Sequence, residues 1–183
     1  YRVNSIKRAD NLAFVKFLSV DQKHIRYLKR STIKKWALVD SQPHHHKLFM
    51  DHKYDIIIDH HPVTDPVKAD FLDIREDYGA NASIMAEYLK AGKIKPSPKL
   101  ATALFYGIKT DTHNFVRAAV PHDMNAFKYL YPFVNINIVK KIETSEIRKD
   151  SLSDLKKAIE LQKKYAKWGG QEPSSFVADS DLK

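Results

Sequence analysis

The chain contains no cysteine. That absence removes disulfides, thiolate zinc sites and a cysteine nucleophile from consideration. No apolar stretch approaches the roughly 20 residues that a membrane span needs, so an integral membrane protein is disfavoured and a cytoplasmic location is the expectation. There is no initiator Met and no charged-then-apolar leader at Tyr1, which leads us to expect a piece of a longer protein. Internal repeats and low-complexity tracts are also missing. What remains is 183 residues with 43% apolar content, enough for one domain, or one domain and part of a second. The formal charge of +9 suits anionic partners such as nucleotides or nucleic acid. Much of it lies in scattered pairs (Lys34-Lys35, Lys140-Lys141, Lys156-Lys157, Lys163-Lys164), which fit a solvated helical surface equally well.

Along the chain, Tyr1 to Ile6 is weakly strand-like, and the spacing of Leu12, Ala13, Val15, Phe17 and Leu18 predicts a helix from about Ala9 to Leu18. Trp36 to Val39 is a short apolar run that stops at Asp40, followed by a polar loop through His44-His45-His46. Ile56-Ile57-Ile58 reads as a buried strand of a parallel sheet, ending in Asp59-His60-His61. Pro62, Asp65 and Pro66 then imply an irregular loop. Helices are predicted from Ala80 to Ala91, from Pro98 to about Thr110, from Pro121 to Tyr131, from Asn137 to Ile142 and from Ser151 to Trp168. Gly169-Gly170 reads as a linker, and Ser175 to Ala178 as the start of a new strand. Strands alternating with helices argue for an α/β fold, a three-layer domain with a parallel β-sheet flanked by helices, followed by a linker helix.

Titratable groups gather at the strand ends. A buried strand rarely closes on three polar groups unless they have partners. In open α/β sheets the carboxyl edge is also where ligands bind. Asp40 and the Asp59-His60-His61 triplet end successive strand candidates, so they can converge on one edge. Asp111 stands where a helix runs out, an unfavourable place for an acid against the helix dipole unless something rewards it. Carboxylate oxygen with imidazole nitrogen suits manganese, iron, magnesium or zinc. Paired ions can activate a water and clamp a phosphoryl oxygen, and Asp40 is the natural bridging candidate.

Blander readings compete at other positions. His44-His45-His46 reads first as a surface loop and second as a rim near substrate. His113 and Asn114 suit capping as well as the site. Arg75 and Arg117 suit phosphate or solvent alike. Phe71, Phe105, Tyr106 and Phe115 read as core before stacking platforms.

Three segments in order, Ala37-Leu38-Val39-Asp40-Ser41, Asp59-His60-His61 and Gly107-Ile108-Lys109-Thr110-Asp111-Thr112, resemble the motifs of the DHH phosphoesterase superfamily. The resemblance runs from about Tyr1 to Trp168. It implies Asp40, His60 and Asp111 as metal ligands, Asp59 as a ligand or as the acceptor that fixes a His tautomer, and His61 as the catalytic group facing phosphate or water. It further implies two manganese ions, with magnesium as the alternative. The branch that degrades very short RNAs and dephosphorylates phosphoadenosine phosphate is the most similar, on Gly107 to Phe115 and Gly79 to Ser83.

Two departures stand out. No segment between Tyr1 and Val39 matches the family's N-terminal His-x-x-Pro-Asp-x-Asp-like motif, and the Gly-rich C-terminal substrate-binding domain is absent. The resemblance thus implies a catalytic domain over 1–148 lacking its first motif, then a linker helix and the opening of a truncated domain over 149–183. The metal site is expected to be incomplete. The expected activity is metal-dependent hydrolysis of short oligoribonucleotides or nucleotide phosphate esters, with short single-stranded RNA or DNA or a nucleotide as partner, no membrane, and a homodimer left open. Alternatives are a non-catalytic nucleotide- or nucleic-acid-binding module or, among enzymes, a single-strand exonuclease, a cyclic-dinucleotide phosphodiesterase or a pyrophosphatase.

Overall fold

The computed structural model describes residues 1–116, 120–145 and 156–163. The chain divides into two compact units, Tyr1–Glu146 and Ile147–Lys183. In the second, residues 156–163 are helical, within the helix predicted from Ser151 to Trp168. The linker at Gly169-Gly170 and the strand proposed near Ser175 lie outside the described residues.

In the first unit the elements run α1 (Ala9–Phe17), β1 (Ala37–Val39), α2 (Lys47–Met50), β2 (Tyr54–Asp59), β3 (Ala69–Ile74), α3 (Asn81–Ala91), α4 (Pro98–Asp111), α5 (Pro121–Leu130) and α6 (Ile136–Thr144). This is an α/β fold with a parallel three-stranded sheet in the order β1-β2-β3, flanked by helices. β2 takes the centre because its residues can be covered on both faces: Ile57 is fully buried and Ile58 nearly so. Val39 pairs with Ile58, and Ile58 with Asp73, so β1 and β2 end side by side. β3 has no counterpart in the sequence prediction, which assigns no element between the loop at Pro62 to Pro66 and the helix from Ala80. It is an edge strand, with Phe71 and Leu72 exposed, and its two acids interrupt the apolar pattern. Tyr1 to Ile6, read as weakly strand-like, contributes only one isolated parallel bridge, Arg2 with His24.

The helices pack through a shared core that includes Leu18, Ala80, Ala101, Phe105, Ile108, Ala126, Leu130, Val139 and Ile142. α4 shows why: Ala101, Phe105 and Ile108 recur at helical spacing and are all buried. Pro98 fits its first turn, and the Ser97 hydroxyl accepts from Leu100 N at 3.2 Å. A Cβ on Gly107 would stand 3.2 Å from the Cβ of Ala82, so glycine lets α4 approach α3 closely. This packing sends the end of α4, with Asp111, toward the ends of β1 and β2. No described helix is long and apolar enough to cross a membrane.

Candidate metal centre

Each group at the sheet edge is positioned by a backbone feature. Asp40 leaves β1 in the left-handed region, at φ 60°, while its N–H still donates to Ile58 O at 2.9 Å. The strand pairing thus continues one residue further, and the chain then turns so that the Asp40 side chain, 55% exposed, stands at the edge. His60 Nδ1 lies 3.0 Å from the carbonyl of Tyr78. A carbonyl only accepts, so Nδ1 carries the proton and Nε2 is the nitrogen presented to Asp40 Oδ1, 3.4 Å away. The Tyr78 carbonyl is itself well anchored. The Tyr78 hydroxyl donates to Glu87 at 2.6 Å and accepts from Arg75 at 3.0 Å, and the next N–H, of Gly79, donates to buried Asp123 at 3.1 Å.

Asp59 and His61 form a second layer. The Asp59 carboxylate is fully buried and takes His61 Nδ1 on Oδ1 at 2.8 Å and Gln42 Nε2 on Oδ2 at 2.9 Å. Gln42 Nε2 also donates to the His61 carbonyl at 2.9 Å. Both Asp59 oxygens are thus engaged by neighbouring side chains. Gln42, fully buried, is a residue that sequence reasoning misses; its signal is a polar side chain in the turn that follows β1.

One cavity of about 500 Å³ is lined by Arg8, Asp10, Asn11, Asp40, His60, His61, Thr110, Asp111 and His113. Asp40, His60 and His61 each offer a ligand atom within 4.8 Å of the others, while Asp111 lines the same cavity outside that tight group. A second such group joins His45, Asp59 and His61, but its Asp59 oxygens already hold His61 and Gln42. Burial and then the neighbouring Asp40 push the Asp111 carboxyl up to about 6. The hydrogen bond to Asp40, opposed by burial, raises His60 to about 8. The His60 shift reflects the negative charge of Asp40 beside it, and the Asp111 shift reflects chiefly burial. The donor set, carboxylate oxygen with imidazole nitrogen, is the one that manganese, magnesium, iron or zinc accepts.

The remaining sequence candidates separate. Of the three consecutive histidines, His44 Nε2 meets Thr64 Oγ1 at 2.9 Å, His45 accepts from Gln42 N at 3.1 Å with its ring 5.3 Å from that of His61, and His46 caps α2 by accepting from Leu48 N at 3.1 Å. His113 lines the cavity. Arg75 lies in an ion-pair network with Asp73 and Glu87, and Arg117 is outside the described residues. Phe105 and Tyr106 are core, with Phe115 packed against it, whereas Phe71 is exposed. Asp10, at the start of α1, was not singled out from the sequence and yet is 2% exposed and lines the cavity. Its signal is an acid in the first turn of the first helix.

The fold and the acid–imidazole edge define an α/β protein with a candidate divalent-metal centre. Comparison with known proteins agrees at the level of fold. The chain matches the crystal structure of a Methanococcus jannaschii protein assigned as a family II inorganic pyrophosphatase, with a TM-score of 0.55, 21% identity and coverage of 73% of this chain and 50% of that one. It is also 45% identical over 105 residues to an uncharacterized protein of Methanocaldococcus jannaschii, a match that covers 57% of this chain and 22% of the relative. The chain thus spans about a fifth of that relative's length. No family model matches.

Proposed function

We propose that the chain is the catalytic part of a divalent-metal-dependent phosphoesterase of the DHH superfamily, with residues 1–148 as its catalytic domain. The observation that carries this reading is the convergence of Asp40, His60, His61 and Asp111 on one cavity at the carboxyl edge of a parallel sheet. The likeness to a pyrophosphatase fold supports it. Asp40, His60 and Asp111 would hold the ion, with manganese first and magnesium second. When bound, such an ion lowers the pKa of a water and polarises a phosphoryl oxygen.

The protein's own groups do the rest. The Tyr78 carbonyl keeps the His60 proton on Nδ1 and leaves Nε2 for the ion. Asp59 accepts from His61 Nδ1 and favours the imidazolium, whose Nε2–H would donate to the phosphoryl oxygen as charge builds on it. Gln42 holds Asp59 in turn. The substrate class we favour is the short oligoribonucleotide or nucleotide phosphate ester; the pyrophosphatase likeness keeps pyrophosphate in the comparison.

The test is turnover by the full-length protein, with manganese, of a ribodinucleotide, phosphoadenosine phosphate, a cyclic dinucleotide and pyrophosphate. Metal-dependent release of nucleotide or phosphate is expected, and it is lost in Asp40→Ala. No hydrolysis of any of the four, or activity that survives Asp40→Ala, would leave the binding-module reading in its place.

A further inference from the structure

The cavity holds a feature that the metal reading does not use: a guanidinium locked onto a carboxylate inside the acidic pocket. Arg8 Nε lies 3.1 Å from Asp10 Oδ1 and Arg8 Nη2 lies 2.6 Å from Asp10 Oδ2, a two-pronged pair. Asp10 Oδ1 also accepts from Asn11 N at 2.8 Å. The Asp10 side chain is 3% exposed and that of Arg8 is 69% exposed, so the acid is sealed in while its partner reaches toward solvent. Both residues line the cavity with Asp40, His60 and Asp111.

We propose that Arg8 is a built-in cation of this site: seated on Asp10, it takes the place of a second metal ion, so the centre binds one divalent ion on Asp40, His60 and Asp111. This rests on the metal-centre reading above and replaces the pair of ions expected from the sequence. Charge balance supports it. Three carboxylates line the cavity, and the guanidinium offsets the charge of one of them, which weakens the pull on a second cation. A second ion would have to approach a fixed positive charge and compete for a buried carboxylate whose oxygens are already engaged. The guanidinium also does in fixed form what a second ion would do, presenting positive charge to a phosphoryl oxygen with planar donors suited to it.

The experiment is a titration of the metal-free full-length protein with manganese alone, following the free hexaaqua ion by electron paramagnetic resonance. Saturation at one ion per chain is expected for the wild type and for Arg8→Lys, which keeps the charge. Arg8→Met removes the charge and should raise the count to two. Wild-type saturation at two ions overturns the role given to Arg8, whether or not the variants fold. So does an Arg8→Met protein of wild-type circular dichroism that still binds one ion with unchanged affinity. A wild type that binds no ion is a different result, and it removes the metal centre itself.

Discussion

Asp123→Ala offers the most demanding test of how the fold supports the site. The Asp123 carboxylate is fully buried at the start of α5 and accepts three hydrogen bonds: from Ser83 Oγ at 2.6 Å, Val120 N at 3.0 Å and Gly79 N at 3.1 Å. It thereby ties α5 to α3 and to the turn that carries the Tyr78 carbonyl. Hydrogen bonds to a charged acceptor contribute about 1.5–3 kcal/mol each, and a buried donor left without a partner costs a similar amount. Ser83 is fully buried and bears the larger penalty, while Val120 N and Gly79 N belong to partly exposed residues that water can reach.

Weighing these, Asp123→Ala should lose about 4 kcal/mol. With a urea m-value of about 2 kcal/mol/M, the midpoint should fall by about 2 M, read by far-ultraviolet circular dichroism of the full-length protein. Ser83→Ala alone should cost about 1 kcal/mol, and the double variant should be clearly less destabilised than the sum of the two, because they share one bond. A midpoint shift for Asp123→Ala below about 0.5 M would refute the assignment of this carboxylate as the clamp between α3 and α5.

Three further outcomes are expected. Replacing Gln42 with Leu keeps the volume but removes the donor to Asp59, so kcat should fall by about tenfold or more while KM changes little; an unchanged kcat would remove Gln42 from the line of support behind His61. Asp40→Ala should abolish manganese binding as well as turnover, measured by equilibrium dialysis, and retained stoichiometric binding would contradict Asp40 as a ligand. Asp73 is held below the usual carboxylate range by hydrogen bonds from Arg75, and Glu87 is lowered, against the effect of burial, by Tyr78 and Arg75. Depressed folded-state values give stability that is present above the unfolded carboxylate range and is lost as pH falls through the folded values, so stability should decline below roughly pH 4. Arg75→Met should flatten that acid limb in urea melts run across pH, and an unaltered slope would sink the explanation.

The parts of the fold legible in the sequence are those where one local signal dominates. Ile56 to Ile58 is β-branched and apolar, and it is the central strand. Pro98 and Pro121 both sit in first helical turns, where the missing N–H costs nothing, and both helices start there. β3 was illegible because an edge strand needs no continuous apolar run, and Asp70 and Asp73 break its pattern. At the centre, Asp40, His60, His61 and Asp111 share one cavity, as their strand-end and helix-end positions suggested. Asp10 and Gln42 escaped notice for a different reason. Each acquires its meaning only from a partner, Arg8 for one and Asp59, 17 residues away, for the other, and no periodicity marks such pairs.

The pairing of β1 with β2 has a consequence for which ions the proposed centre would accept. Asp40 and His60 each follow directly on one of two paired neighbouring strands, with His60 Nε2 3.4 Å from Asp40 Oδ1, so their separation is tied to the sheet. Asp111 is carried by a helix end outside the tight group of ligand atoms, and it is the member of the set whose approach can be adjusted. In the proposed centre, ion size would be judged between a fixed jaw and a movable one. Packing between α3 and α4, at Gly107 against Ala82, would then be a place from which the proposed metal preference could be tuned without touching a ligand.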